Sequence, residues 1–175
     1  MKNYLVGFSF LSLIYGVSAC TNNTNKAVEP SEVKKETIQS ATPKFADEKM
    51  NEVYQHYIHL KTALVNDDAK EADMSAKMLE KALTDAKMTK EAALATDLAK
   101  STDVKSKREK LNGLSLALVD AFKKSKIESG VVYKQYCPMA NDGNGGYWLA
   151  SEKQVKNPYY GASMLNCGSV EEEIK

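Results

Sequence analysis

The stretch Met50–Val65, MNEVYQHYIHLKTALV, decides the fold class. Met50, Val53, Tyr54, Tyr57, Leu60, Lys61 and Leu64 recur at three- and four-residue spacing, the period of one helix face, with polar residues between them. The stripe does not stand alone. From Phe45 to Ser129 the chain contains no proline and one glycine, Gly113. Asn66-Asp67-Asp68 supplies N-cap candidates for a second helix striped by Ala72, Ala76, Leu79, Leu83 and Ala86. The pattern breaks at Lys87-Met88-Thr89. A third stripe begins with Ala93, Leu94 and Leu98. Ser101-Thr102-Asp103 offers another cap, followed by Val104, Leu111, Leu114, Leu118 and Phe122. Segments of these lengths joined by short turns predict an antiparallel three- to four-helix bundle over residues 45–129.

Composition changes at Gly130. Residues 130–168 hold six glycines, two prolines and six aromatic residues. Val131–Tyr136 and Gly146–Ala150 have strand propensity, and Asn141-Asp142-Gly143-Asn144-Gly145-Gly146 between them is a strong turn signal. The expectation is a small β-hairpin followed by an irregular, cysteine-containing tail over 130–175, packed on the bundle as one domain. The fold class is mostly α, formally α+β.

Residues 1–20, MKNYLVGFSFLSLIYGVSAC, carry a short positive start at Lys2 and an apolar run from Tyr4 to Val17. That run is shorter than the roughly 20 apolar residues a membrane-spanning helix needs, and it suits a signal-peptide core. Its end, Val17-Ser18-Ala19-Cys20, resembles the lipobox of bacterial lipoproteins. The resemblance implies cleavage after residue 19 and diacylation of the Cys20 thiol. Two or more acyl chains, each methylene contributing about 0.8 kcal/mol, anchor a protein stably. Thr21 stands where an aspartate would direct inner-membrane retention, so the expected place is the outer membrane, facing the periplasm. Residues 20–44 then form the anchor and a tether. The segment 21–44 has no aromatic residue and two prolines, and cannot bury enough apolar surface to offset ordering.

The 175 residues carry 24 Lys+Arg against 23 Asp+Glu, a net charge of +1. No basic face of the kind a nucleic-acid binder needs follows from that balance. Catalytic patterns are also missing. Gly113-Leu114-Ser115-Leu116-Ala117 approaches a nucleophile elbow but lies inside a helical stripe. Neither histidine stands near an evident nucleophile or orienting acid, so no enzyme is expected.

With Cys20 lipidated, Cys137 and Cys167 remain, each with a methionine nearby. Cys137-Pro138-Met139 puts both sulfurs on one side if the chain is extended. Met164 and Cys167 are adjacent if the chain makes a helical turn. Two thiolates and two thioethers form a soft donor set suited to Cu(I) and ill suited to Mg²⁺ or Ca²⁺. The alternative is a Cys137–Cys167 disulfide, which in an oxidising compartment would staple the tail by roughly 3–4 kcal/mol. Two unpaired thiols are the third option. His56 and His59, at i and i+3, can face one site or simply rim the buried stripe. Met74, Met78 and Met88 read as core or half-exposed fillers.

The strings Tyr136-Cys137-Pro138-Met139-Ala140, Tyr147-Trp148-Leu149-Ala150-Ser151, Asn157-Pro158-Tyr159-Tyr160-Gly161, Met164-Leu165 and Cys167-Gly168 form a distinctive set. So does Tyr57–Val65 followed by Asp67-Asp68. Over residues 45–170 the chain resembles an uncharacterised domain family of bacterial lipoproteins. That family is also found appended to periplasmic adaptor subunits of copper/silver-type heavy-metal efflux systems. The resemblance implies heavy-metal handling outside the cytoplasm, efflux components as partners, and Cys137, Met139, Met164 and Cys167 as ligands. Capture, buffering or delivery of the ion is then the expected role. The competing expectation is a disulfide-stapled interaction module of the envelope with no metal.

Overall fold

The computed structural model describes residues 42–175. The signal segment, Cys20 and the tether up to residue 41 lie outside the described residues. The described chain is mostly helical, with two small antiparallel sheets, in the order β1 (Lys44–Phe45), α1 (Glu48–Val65), α2 (Ala69–Asp85), α3 (Thr89–Ala99), α4 (Val104–Lys124), β2 (Ile127–Ser129), β3 (Val132–Cys137), α5 (Ala140–Gly143), β4 (Gly146–Ala150), a 3₁₀ turn (Gly161–Met164) and β5 (Ser169–Ile174). No helix among the described residues is long and apolar enough to cross a membrane.

Aspartates start three of the four long helices. Asp47, Asp68 and Asp103 accept the backbone N–H of Lys49, Glu71 and Ser106 at 2.9, 2.9 and 2.8 Å. Each satisfies a donor that the first helical turn leaves without a partner. Asp67 and Lys87 both sit in the left-handed region, at φ 56° and 59°. The following amides reach back, Asp68 to the Ala63 carbonyl and Met88 to the Leu83 carbonyl, closing the ends of α1 and α2. The break in periodicity at Lys87-Met88 is this closure.

Successive helices pack against one another. Met50, Val53, Tyr54, Tyr57, Leu60, Lys61 and Leu64 of α1 are buried, as the period requires. They meet Ala72, Ala76, Leu79 and Leu83 of α2 and Leu111, Leu114, Leu118 and Phe122 of α4 in one core. On α3 the register differs from the sequence reading. Ala93 is exposed, and Ala95 takes the buried place beside Leu98. Phe45, at the edge of the segment assigned to the tether, enters the core in β1. Its ring lies 5.7 Å from Tyr54 and 5.0 Å from Phe122, which draws Lys44 into pairing with β2.

The tail is larger than a hairpin. β3 and β4 pair antiparallel from Tyr133↔Ala150 to Cys137↔Gly146, as the turn signal predicts. A third strand, β5, pairs on the other side of β3, giving the order β4-β3-β5. The outer edge of β4 is covered by side chains of the helical half. The Leu149 amide donates to Tyr57 Oη at 3.0 Å and the Tyr147 amide to Asn112 Oδ1 at 2.9 Å. These bonds occupy amides that an edge strand otherwise leaves open. Tyr57 Oη also bonds Ser115 Oγ at 2.7 Å, and burial pushes its phenol up to about 12. Lys61, buried on α1, reaches Glu152 just beyond β4 at 2.7 Å. Sheet and helices are thereby fixed to one another.

Candidate functional site

Cys137 is the last residue of β3, fully buried and in register with Gly146. Cys167 stands two residues before β5 and is partly exposed. Because Tyr136 pairs with Ser169 across β3 and β5, the end of one strand meets the start of the other. The two sulfurs lie 2.7 Å apart although thirty residues separate them in sequence. Both are free cysteines in this structure. The Cys167 thiol is pushed up to about 11, chiefly by its hydrogen bond with Cys137, then by burial and by charge on Cys137.

A buried asparagine shapes the loop that delivers Cys167. Asn157 Nδ2 donates to the Cys167 carbonyl at 2.8 Å, and Oδ1 accepts from the Tyr159 amide at 2.7 Å. Its own amide donates to the Leu165 carbonyl at 2.8 Å. The loop is docked on the helices by Arg108, the only arginine of the chain. Its Nε donates to the Pro158 carbonyl at 2.6 Å, and Nη2 donates to the Leu64 carbonyl and Asp67 Oδ1 at 2.7 and 2.6 Å. Gly161, at φ +53°, passes so close that a Cβ there would lie 2.7 Å from Asp67 Oδ2 and 2.9 Å from the Val65 carbonyl. Only glycine permits that docking.

Two phenols border the sulfur pair. Tyr160 Oη donates to the Met139 carbonyl, tying the Cys137-Pro138-Met139 segment to the loop that leads to Cys167. Burial raises the Tyr160 phenol, and charge on Cys137, Cys167 and Asp142 adds to the effect. Tyr159 is raised by burial, with Tyr57 and Cys137 contributing, and its hydroxyl donates to the Tyr147 carbonyl at 2.7 Å. Both hydroxyls are thus spent on backbone carbonyls near the sulfur pair. Beside the phenols is a cavity of about 220 Å³ lined also by Lys105, Arg108, Asn141 and Asp142.

Of the four sulfur residues, Cys137 and Cys167 are brought together. Met139 turns away from the extended geometry that would align it with Cys137, having φ −85° and ψ −12° at the start of α5, and it is half exposed. Met164 ends the 3₁₀ turn, and the Cys167 amide donates to its carbonyl at 3.1 Å, so the helical turn expected between them is present. Both methionines lie on the two segments that carry the cysteines. The donors are soft and few, a set that fits a low-coordinate soft ion and no hard one. Among the described residues no three His, Cys, Asp or Glu side chains gather as a metal group. Ser115, of the elbow-like string, is buried in α4 and occupied by Leu111 and Tyr57. His56 and His59 are on α1, their rings 6.2 Å apart.

Arg108, Asn157 and Tyr160 were not among the residues read as functional. Asn157-Pro158 carries a turn signal, and a lone arginine in a lysine-rich chain is a compositional one. Nothing marks Tyr160 beyond its aromatic neighbours.

The fold and site define a class: a mostly helical domain with a small sheet that clamps a cysteine pair. Residues 53–130 match a family model described as "Protein of unknown function (DUF3347)". That span runs from α1 through β2 and stops short of both cysteines. No curated protein and no solved structure matches the chain.

Proposed function

We propose that the protein is a lipid-anchored periplasmic binding protein for soft metal ions, foremost Cu(I), that supports heavy-metal efflux or sequestration and is not an enzyme. The observation that carries this reading is the meeting of Cys137 and Cys167 at 2.7 Å in a loop held by Asn157 and Arg108. A frame that positions two thiols also limits the ordering a bound ion must impose. Cys137 and Cys167 are assigned as thiolate ligands, Met139 and Met164 as thioether ligands. A soft ion bound there displaces the thiol protons, so uptake is coupled to proton release. The C-terminal motifs, which resemble those of domains attached to heavy-metal efflux adaptors, support the same assignment.

The same proximity favours a second reading, an oxidised Cys137–Cys167 staple in an interaction module with no metal. An anaerobic Cu(I) titration of the reduced chain from Thr21 onward, against a chromogenic chelator, separates the two. One tightly held equivalent is expected, lost in Cys137→Ser and in Cys167→Ser while the helical circular dichroism is retained. Unchanged affinity in both variants overturns the metal reading. A pair already oxidised in freshly isolated protein, with no competition after reduction, supports the staple.

A further inference from the structure

A second group of soft and borderline donors lies on the α1–α2 hairpin, away from the sheet that carries the cysteines. His56 and His59 are one turn apart on α1, with ring centroids at 6.2 Å and planes inclined by 70°. An imidazole bound at 2.0–2.1 Å places its ring centre about 3.2 Å from the metal, so two imidazoles on one ion have centres up to about 6.4 Å apart. The observed spacing falls inside that limit, and side-chain rotation that brings the rings about 1 Å closer reaches the spacing of a tetrahedral four-donor set. His56 Nδ1 is buried and has no hydrogen-bond partner, an unusual state for a native polar atom. Burial, first, and the neighbouring His59 lower the His56 pKa.

α2 places thioethers on the neighbouring stripe. Lys49 Nζ on α1 donates to the Asp85 carbonyl at the end of α2, at 2.8 Å. Toward the other end of the hairpin, one cavity of about 210 Å³ is lined by His59, Thr62 and Ala63 from α1 and by Glu71 from α2. Glu71, Met74, Met78, Lys81 and Asp85 follow one another at three- and four-residue spacing on α2. The contacts at Glu71 and at Asp85 bracket Met74 and Met78, which puts both methionines alongside the turn of α1 that carries His56 and His59. They are 46% and 53% exposed, so core packing does not account for them.

We infer that His56, His59, Met74 and Met78 form a second copper site, independent of the cysteine pair, taking Cu(I) through neutral imidazole and thioether donors. Imidazole suits copper and thioether selects its reduced state. Glu52 acts on His56 and Glu71 lines the cavity with His59, while Lys49 and Lys81 lie on the same side of the hairpin. The patch therefore carries both signs, and selectivity falls to the soft donors. Thioethers carry no proton and an imidazole is neutral well above its ordinary pKa of about 6.5, so in that range such a site binds without the proton release that thiol ligands impose.

The test is an anaerobic Cu(I) titration of the reduced chain from Thr21 onward, which keeps every described residue, using a chelator weak enough to report a second equivalent. Proton release is recorded in parallel in weak buffer. His56→Gln/His59→Gln and, separately, Met74→Leu/Met78→Leu should each remove one equivalent, the one that releases no protons. His59→Gln alone, at an exposed position that leaves folding intact, should weaken that equivalent by at least about tenfold, the scale on which metal sites respond to ligand-shell changes. The result is read as a change between variants, so it stands whether or not the cysteine pair binds copper. Unchanged stoichiometry and affinity in either double variant overturns the assignment.

Discussion

Lys107 of α4 and Asp73 of α2 meet at 2.7 Å with the lysine wholly withdrawn from solvent and the carboxylate about half exposed. Lys107 Nζ also donates to the carbonyl of Leu98, in the last turn of α3, and to that of Ser101, in the turn into α4. One ammonium therefore joins α2, the end of α3 and α4. Its stem crosses apolar core while its head is satisfied by three oxygens, the condition under which a buried charge is tolerated. Lys107→Ala removes that head and leaves a void. A loss of about 1–3 kcal/mol is expected, from the void and from buried carbonyls left without a donor, since Asp73 is exposed enough to be hydrated. Lys107→Met, which keeps the stem, should lose less. Urea denaturation followed by far-ultraviolet circular dichroism measures both. Equal stability of Lys107→Ala and the wild-type protein would show that the ion pair carries no structural weight.

Glu173 near the end of β5 is bonded by Lys175 at 2.8 Å and Lys153 at 2.9 Å. These two bonds, that from Lys175 first, hold its carboxyl at about 2 instead of 4.5. A carboxylate with a depressed folded-state pKa contributes stability that is present above about 4.5 and is lost as the pH falls toward about 2. The site is open to solvent, so the contribution is modest and screened by salt. Acid unfolding of the wild-type protein and Glu173→Gln in low salt should differ above pH 4.5 and converge as the pH drops through that window. In molar salt the difference should shrink. A constant gap between the two curves at all pH values would assign the effect of the substitution to packing.

The helices were legible because their signals are local. Asp68 and Asp103 are caps recognisable from one turn of sequence, and Tyr57, Leu60 and Leu64 follow the helical period. Even Lys61 falls on its predicted stripe, since that period places it inward whatever its charge, and Glu152 supplies the partner. What could not be read depends on residues distant in the chain. Lys107 looks like any surface lysine until the α3–α4 turn presents two carbonyls to it. β5, SVEEEI, has only Val170 and Ile174 as apolar residues, and exists because β3 offers it an unpaired edge. Cys137 and Cys167 were readable as a soft pair, yet their meeting depends on Asn157 and on Arg108, fifty residues before Pro158. Met139 was read beside Cys137 on an extended segment, whereas the chain turns immediately after Pro138.

Gly168 links the cysteine pair to the only tryptophan of the chain, Trp148. Its φ is +132°, and a Cβ there would lie 2.6 Å from the Tyr136 carbonyl oxygen and 2.8 Å from Trp148 Cη2. An alanine adds backbone strain and a clash with a buried ring, together costing roughly 1–3 kcal/mol. Because Cys167 is the adjacent residue, the displacement must also pull its sulfur from Cys137. Gly168→Ala is therefore expected to lower the denaturation midpoint, shift the emission of buried Trp148, and slow oxidative closure of the cysteine pair. Gly113→Ala is the contrast. A Cβ at that helical position meets nothing within 4 Å, so it should stabilise α4 by about 0.5–1 kcal/mol. Trp148 fluorescence recorded during urea unfolding, with thiol counting after mild oxidation, reads all of these effects. A Gly168→Ala protein with wild-type midpoint and closure rate would mean that the strand entry into β5 is looser than its geometry requires.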